Sequence, residues 1–438
     1  MRLKDLTSEL NASLVDVKPF RAITYTHKAG DTADLIAQPY DKISKQMQKA
    51  YYEKSPYNYC RLTLPTEADK YNVAHQRITN WLSEGVMEKL VEPAIFVSRQ
   101  EFTLDGESYA RTGLLVAMKL YPYSENVVFP HEATYKAPKA DRLNMLRTVQ
   151  KDLEPVFLMY PDPEEASIAF MSQVAHTKPF IEVTDEYGVH HTVWKVSDPA
   201  KVGELQAILA SKPVVINDGH HRYESAVAYR DEMRGKTDWN EDSAFNYYMC
   251  FLVPVEEKGL VVLPTHRLLK NHKLTPEVVE GLSSFFYIEE IKPTVDAVNA
   301  FLGSHIGEHA FCVYDGEKAC GLTLRHDKAV YRFINATASK DTKIFDVVIL
   351  RDLVFKQILK TGELDIDETI IYERWTKDAF AKIDSGEAGI AFLVNPIPAK
   401  TVAEVAVQHE VLPEKSTDFY PKLVSGIAMM DISDNEKV

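Results

Sequence analysis

The chain has 438 residues, of which 45% are hydrophobic and 26% charged, and its formal net charge is -14. This length predicts more than one hydrophobic core, and this balance is typical of a globular protein rather than a disordered one. The negative charge argues against broad binding to nucleic acid, because such binding needs Lys and Arg to displace counterions from phosphates. A local basic pocket for one small anion is compatible with it.

No apolar run approaches the roughly 18 residues that span a bilayer. Residues 1–14 mix charged and apolar side chains and do not resemble a signal peptide, so we expect a cytoplasmic protein without a membrane partner. The four cysteines are scattered, which argues against zinc and against a disulfide framework. A P-loop, a Rossmann fingerprint and a zincin helix are absent, and nothing indicates haem, flavin or NAD. The sequence leaves the oligomeric state open.

Strands and helices interleave without a regular βαβ rhythm, which predicts an α+β fold with mixed sheets. We divide the chain into an N-terminal α/β region (1–119), a central region (120–235) and a C-terminal α/β region (236–438). The hydrophobic patterns predict, in chain order, a strand over 18–25, helices over 43–54 and 74–84, strands over 94–97 and 112–119, a helix over 140–151, strands over 156–160 and 213–216, a helix over 224–234, a strand over 259–263, a helix over 344–360 and a strand over 390–394.

The most informative segment reads Asp218-Gly219-His220-His221-Arg222, between an apolar strand and an amphipathic helix. Such a turn directs backbone N–H groups at one point, and the positive end of the helix dipole adds to their attraction for an anion. Gly219 permits a positive φ, and Arg222 can hold phosphate with a bidentate fork. The alternative is that Asp218 caps the helix and the histidines satisfy local hydrogen bonds. We call these five residues the box.

The box resembles the phosphate-binding box of the ParB and sulfiredoxin superfamily, and it is most similar to that of the ParB-like free serine kinases. The resemblance implies a ParB/sulfiredoxin-like core in the central region, in which His220, His221 and Arg222 hold nucleotide phosphates. Sulfiredoxin places a reactive cysteine in its box, and this box has none. Sulfiredoxin chemistry is therefore excluded.

In those kinases a His-Glu pair precedes the box, and the resemblance implies that the glutamate accepts the proton of the serine hydroxyl. Here the pair is His131-Glu132, followed by Arg142 on a predicted helix. Glu132 lies 86 positions before Asp218, so we expect an insertion near residues 183–205. Within it, His190-His191 is interpreted as a surface strand.

Over nearly its whole length the chain also resembles a family known as domain of unknown function 1015. Short motifs along the chain carry this resemblance: Pro39-Tyr40-Asp41, Ser55-Pro56-Tyr57-Asn58, Trp81, His131-Glu132 with Thr134, the box, Pro264-Thr265-His266-Arg267, Lys415-Ser416-Thr417 and Tyr420-Pro421-Lys422. The family implies no settled activity, so function must come from the site.

Two further polar groups are candidate anion ligands. Thr265, His266 and Arg267 follow an apolar run and are expected to form a second polar tip; the alternative is an Arg that anchors a loop to a carboxylate. Lys415, Ser416 and Thr417, with Lys422, are expected to form a basic loop rich in hydroxyl groups; the alternative is a solvated turn. Tyr40, Asp41, Arg142 and Lys422 are candidate substrate-binding residues, and Asp41 is alternatively a helix N-cap.

These residues predict a phosphotransferase that moves a phosphoryl group between a nucleotide or phosphate donor and a small hydroxyl metabolite, with serine and phosphoserine as the expected pair. The candidate catalytic residues are Glu132, Asp218, His220 and His221. The candidate phosphate ligands are Gly219, His220, His221, Arg222, His131, Thr265, His266, Arg267, Lys415, Ser416 and Thr417. We expect positive charge from the box histidines and Arg222, and Mg²⁺ at Asp41 or Asp218, carried by the nucleotide. The alternatives are a phosphatase on a small phosphorylated metabolite and a nucleotide-binding regulator without chemistry.

Overall fold

The computed structural model describes residues 15–132, 134–325, 333, 345–361, 369–413 and 415–438. Contacts among them divide the chain into two compact units. The first unit consists of Met1–Val261, Ala406–His409 and Pro421–Val438, and the second of Val262–Val405 and Glu410–Tyr420. The boundaries predicted at 119/120 and 235/236 both fall inside the first unit.

The fold is α+β, with several sheets and interleaved helices. The strands are β1 (Val17–Lys18), β2 (Ile23–Tyr25), β3 (Met87–Lys89), β4 (Ile95–Leu104), β5 (Glu107–Lys119), β6 (Val128–Phe129), β7 (Lys151–Asp152), β8 (Val156–Tyr160), β9 (Ile181–Thr184), β10 (His190–Val196), β11 (Val214–Asp218), β12 (Tyr247–Pro254), β13 (Val261–Leu263), β14 (His266–Leu269), β15 (Phe286–Ile291), β16 (Ala310–Tyr314), β17 (Ala319–Leu324), β18 (Ile370–Glu373), β19 (Ile390–Val394), β20 (Asp418–Tyr420) and β21 (Met430–Asp431).

The helices are α1 (Thr32–Leu35), α2 (Lys45–Lys54), α3 (Cys60–Thr63), α4 (Lys70–Ser83), α5 (Lys136–Val149), α6 (Ala166–Val174), α7 (Pro199–Leu209), α8 (His220–Arg234), α9 (Pro276–Ser283), α10 (Val295–Ser304), α11 (Asp346–Ile349, continued by π-helical turns over Leu350–Ile358), α12 (Thr376–Asp384) and α13 (Ala399–Ala406). Within the described residues, no helix is long and apolar enough to cross a membrane.

In the described part of the first unit, nine strands form one mixed sheet. Their order is β6-β11-β8-β12-β5-β4-β10-β9, with β1 also paired to β5. The pairs β11–β6 and β12–β8 are parallel, and the other pairs are antiparallel. All eight residues of β12 are buried, as expected for a central strand covered on both faces. Helix α8 packs beside α5, and α5 beside α4.

Several boundaries differ from the predictions for local reasons. The strand predicted over 18–25 is divided into β1 and β2, because Pro19 has no N–H to donate to a ladder. The helix predicted from residue 224 begins at His220, directly after Gly219. The expected insertion is part of the main sheet, since β10 pairs along β4. His191 is buried there, with Nε2 3.0 Å from the Asp185 carboxylate, so the surface interpretation is wrong for this residue.

In the second unit, the described residues form a six-stranded antiparallel sheet in the order β15-β17-β16-β19-β14-β18. Strand β19 is fully buried and has the predicted bounds. Apolar side chains of α11, among them Leu350, Leu353 and Val354, pack against the sheet with Phe392.

Arg111 ties the segment at 421–422 to the main sheet. It lies on β5, is 0% exposed, and its guanidinium stands 4.7 Å from the ring centroid of Phe157. The guanidinium donates to Gln100 Oε1 and, at 2.5 Å, to the carbonyl of Pro421. A buried guanidinium needs such acceptors, because burial without them is costly. The position of Lys422 therefore depends on a side chain from the centre of the sheet.

We expect Arg111→Met to lower the free energy of unfolding by about 2 to 4 kcal/mol, because it leaves the buried acceptors on Gln100 and Pro421 without a donor. The matched control is Arg99→Met on the neighbouring strand, where the half-buried side chain donates to Thr112. Its expected loss is below about 1 kcal/mol. Urea unfolding of both variants measures the difference, and equal losses contradict an anchoring role for Arg111.

Candidate functional site

The box forms the junction between β11 and α8. Strand β11 ends at Asp218, Gly219 has φ +97°, and α8 starts at His220. A Cβ on Gly219 would lie 3.0 Å from Nε of Arg222, so the position favours glycine both for its positive φ and for the close approach of the guanidinium. The N-cap residue of α8 is Gly219, which has no side chain, so the interpretation of Asp218 as the N-cap is wrong.

The parallel pairing of β6 with β11 brings His131 to the box. Val128 pairs with Val214, and both chains therefore leave the sheet at the same edge. The N–H of His131 donates to Nε2 of His220 at 3.3 Å, and its Nδ1 donates to the carbonyl of Ile216 at 2.5 Å. The two imidazole rings meet edge to face, with centroids 4.7 Å apart. Half-buried Glu132 follows directly.

The buried histidines of this site are neutral. Burial is the main cause that lowers the pKa of His131, to about 4, and the pKa of His220, well below its usual value. The Nε2 atoms of His220 and His221 both accept a backbone N–H, the latter from Tyr135 at 2.9 Å, and an accepting nitrogen carries no proton. The expectation that His220 supplies positive charge is therefore wrong, and for His221 it stays a prediction.

The cations at the box are Arg222 and Lys422, and both contact Asp218. Lys422 Nζ lies 3.2 Å from one carboxylate oxygen and an Arg222 nitrogen 3.7 Å from the other. Burial raises the pKa of Asp218, but the charges of Lys422, Arg222 and Lys42 outweigh it and hold that pKa well below the usual range. Asp218 is thus an ionised carboxylate, and it holds Lys422 beside the turn.

A buried carboxylate that the motifs do not reveal lies on the other side of Arg222. Glu154, 3% exposed, accepts from Ser425 Oγ at 2.8 Å and from the Tyr40 N–H at 3.0 Å. Burial raises the pKa of Glu154, while the charges of Arg222 and Arg142 oppose the increase. A cavity of about 20 Å³ lies at this cluster, and its lining includes Glu154, Arg142, Arg222 and Tyr248. The sequence signal is an acidic residue followed by Pro155 and then by the apolar strand β8.

Arg222 is held in place by its acceptor. It is 7% exposed, and it donates to the carbonyl of Pro155 at 2.6 Å. Burial opposes its charge, but Glu154 and Asp218 outweigh burial and raise the pKa of Arg222, so the guanidinium stays charged. A charged, fixed guanidinium over a helix start that begins at a glycine is an arrangement suited to oxyanions.

The predicted substrate residues Tyr40 and Arg142 lie together. The Arg142 guanidinium is 3.9 Å from the Tyr40 ring centroid, and it donates to the carboxylate of Asp141. Burial raises the pKa of Tyr40 to about 12, against the lowering effects of Arg142 and Arg222. The Tyr40 hydroxyl therefore keeps its proton at neutral pH.

Asp41 lies in a 3-10 turn over Tyr40–Lys42 and is exposed. Ser44 caps the following helix, with Oγ accepting from the Met47 N–H at 3.2 Å, so the interpretation of Asp41 as an N-cap is wrong. The described residues contain no cluster of three or more His, Cys, Asp or Glu suited to a metal. Asp218 does not fit Mg²⁺, because two cations occupy its carboxylate. The metal prediction depends on Asp41 alone.

The remaining candidates lie in the second unit. His266 and Arg267 begin β14 rather than a loop, and both are buried. Arg267 donates to the carbonyls of Thr265 at 2.6 Å and of Lys415 at 3.3 Å, so it is anchored by carbonyls and not by a carboxylate. Burial lowers the pKa of His266 to about 3. Ser416 donates to the Pro413 carbonyl, and Thr417 is half-buried. Their role as phosphate ligands stays a prediction.

A family model described as protein of unknown function (DUF1015) matches residues 17–348. The chain belongs to this family. A search among curated proteins finds no match.

Three solved structures show a likeness to this DUF1015 protein. A free serine kinase mutant in complex with ADP has a TM-score of 0.35 at 13% identity, covering 74% of this chain and 90% of its own. A conserved hypothetical protein from Pyrococcus furiosus has a TM-score of 0.33 at 14% identity, and the match covers 71% of this chain and 94% of that protein. SbnI with a C-terminal truncation, from Staphylococcus aureus, has a TM-score of 0.33 at 10% identity, and the match covers 70% of this chain and 84% of that protein. Because these TM-scores are below 0.5, the likeness indicates nothing about activity. The function must be inferred from the site itself.

The buried neutral His131 makes the stability of the DUF1015 protein depend on pH. The unfolded chain takes up this proton near pH 6.5 and the folded chain only near pH 4. As the pH falls through this interval, the unfolded state binds the proton first, so stability falls by up to about 3 kcal/mol. His131→Asn keeps a donor for the Ile216 carbonyl and removes the titration. We expect its unfolding free energy to change less between pH 6.5 and 4.

Urea unfolding at a series of pH values measures this dependence. His75→Gln, at an exposed position of α4, is the control and should keep the wild-type slope. An unchanged slope in His131→Asn contradicts the buried neutral state.

Proposed function

We propose that this DUF1015 protein is a phosphotransferase that moves a phosphoryl group from a nucleotide to a small hydroxyl metabolite, with serine as the expected acceptor. The observation that carries the proposal is the start of the 15-residue helix α8, where the N-cap residue is Gly219 and the Arg222 guanidinium lies over it. The N–H groups of the first turn, the helix dipole and the fixed fork together suit a phosphate. We include in the proposal a ParB/sulfiredoxin-like core built around this turn.

The local charge supports an anionic ligand. Arg222 and Lys422 both contact the carboxylate of Asp218, Glu154 opposes the charge of Arg222 from the buried cluster, and the start of α8 adds about half a positive charge. Neutral His131 and His220 add hydrogen-bonding groups without charge. Phosphoryl transfer requires positioning and charge neutralisation more than covalent participation of the protein. The cluster supplies both.

In the proposed reaction the acceptor hydroxyl oxygen attacks the terminal phosphorus, and the bond from that phosphorus to the bridging oxygen breaks. The nucleoside diphosphate leaves with the bridging oxygen. Glu132 accepts the hydroxyl proton. We also propose that Thr265, His266, Arg267 and the Lys415–Thr417 loop bind phosphate, and that exposed Asp41 holds Mg²⁺ brought by the nucleotide.

A thermal-shift screen of nucleotides and phosphorylated metabolites tests the binding step, because a ligand raises stability by RT ln(1 + [L]/Kd). Labelled ATP with serine then tests the chemistry. A phosphorylated acceptor supports the kinase, release of inorganic phosphate from phosphoserine alone supports the phosphatase, and binding without turnover supports the regulator. Absence of any nucleotide or phosphate effect contradicts the proposal.

Glu132→Gln removes the proposed base while keeping its shape. We expect kcat for transfer to fall about 10² to 10⁴-fold, because that is the usual contribution of a general base, with ADP affinity within a few-fold of wild type. Glu125→Gln, an exposed residue on the preceding turn, is the control and should leave kcat unchanged. A kcat within a few-fold of wild type in Glu132→Gln removes Glu132 from the mechanism.

Arg222→Lys keeps the charge and discards the bidentate fork. A charge-assisted hydrogen bond is worth roughly 1.5 to 3 kcal/mol, so we expect ADP affinity to fall about tenfold to a hundredfold. Arg230→Lys is the matched control, because Arg230 is buried on the same helix and also donates to a carbonyl, that of Leu120, at 2.6 Å. Calorimetric titration measures both. Equal affinities in folded Arg222→Lys and wild type would show that Arg222 is a structural anchor.

A further inference from the structure

Asn217 is a buried amide without a hydrogen-bond partner. It is 5% exposed, and within the described residues neither its nitrogen nor its oxygen has a partner. Buried polar groups nearly always have a hydrogen-bond partner, because a donor or acceptor without one loses its hydration and gains nothing in return. A buried amide whose nitrogen and oxygen both lack a hydrogen-bond partner is therefore unusual. A ligand that bonds to both atoms is one reason for a protein to retain such an amide.

Asn217 lies at a bulge next to the box. On β8, Leu158 pairs with Ile216 and Phe157 with Asp218, which leaves Asn217 without an opposite residue. Bulges of this kind redirect a side chain and are common beside functional sites. Both chain neighbours are engaged at the site, since the Ile216 carbonyl accepts from His131 and Asp218 pairs with two cations.

The amide chemistry selects among ligand groups. A phosphate oxygen satisfies only the N–H donors of an amide, and an ammonium group satisfies only its oxygen. A hydroxyl donates and accepts at once and satisfies both. Asn217 precedes Gly219 by two residues, and two residues of extended chain span at most about 7 Å. A hydroxyl held here is within reach of a phosphoryl group at the turn, and reacting atoms must approach to about 3 to 3.5 Å.

We propose that Asn217 binds the acceptor hydroxyl of the substrate and orients it towards the phosphoryl group. This inference rests on the proposed function and names the residue that distinguishes an alcohol acceptor from its deoxy analogue. Sites built around a substrate hydroxyl reject the analogue without it, because the protein groups are then left unpaired.

The first arm of the test is stability and needs no ligand. Asn217→Leu is close in shape and removes two unsatisfied polar groups, so its melting temperature should equal or exceed that of the wild type. Asn58→Leu is the matched control: Asn58 is 0% exposed, but its amide donates to the carbonyls of Asp34 and Ile36 and accepts from the Cys60 N–H. Its melting temperature should fall by several degrees. A comparable fall in Asn217→Leu overturns the proposal, because it indicates a structural amide.

The second arm is kinetic and uses ATP as donor with serine, glycerate and glycerol as acceptor probes. In Asn217→Leu we expect KM for the acceptor to rise at least tenfold, while ADP affinity changes less than twofold. A wild type that phosphorylates none of the probes contradicts the proposed function and this inference with it. A wild type that phosphorylates one, with unchanged KM in the variant, contradicts the role of Asn217 alone. Loss of ADP affinity in the variant instead assigns the amide to the nucleotide.

Discussion

The parallel pairing of β6 with β11 is the constraint on which the site depends. The two strands are separated by more than eighty residues, and the chain between them forms three helices, strand β8 and the far edge of the sheet. Pairing in the same direction places the ends of both strands at one edge. His131 then contacts Ile216 and His220, and Glu132 is the next residue in the chain. A one-residue change of register would turn these side chains to the opposite face of the sheet.

Burial determines the charges at this edge. It keeps His131 and His220 neutral, so the positive charge comes from the guanidinium of Arg222 and the ammonium of Lys422. The carboxylates of Asp218 and Glu154 offset the cost of burying these cations, and a buried charge whose partner is removed is strongly destabilising. The cluster is thus fixed before a ligand arrives. Such preorganisation is what phosphoryl transfer requires of a protein.

The sequence predicted the elements that local pattern alone determines. Strands β8 and β19 have the predicted bounds, because each is a short, wholly apolar run. The junction of β11 and α8 was predicted from the glycine between an apolar strand and an amphipathic helix. The neutrality of His131 and His220 was not predicted, because it follows from burial by segments distant in sequence. Glu154 and Asn217 were missed for a related reason: a single polar residue in an apolar setting carries no motif, and only tertiary packing shows whether it has partners.

The central claim is that the start of α8 binds phosphate. A crystal structure of the protein with ADP tests it most directly. We predict the terminal phosphate within hydrogen-bonding distance of the backbone N–H groups of residues 219–221, with the Arg222 guanidinium in contact with the same phosphate. A nucleotide bound elsewhere, with the helix start in contact with water alone, would contradict it.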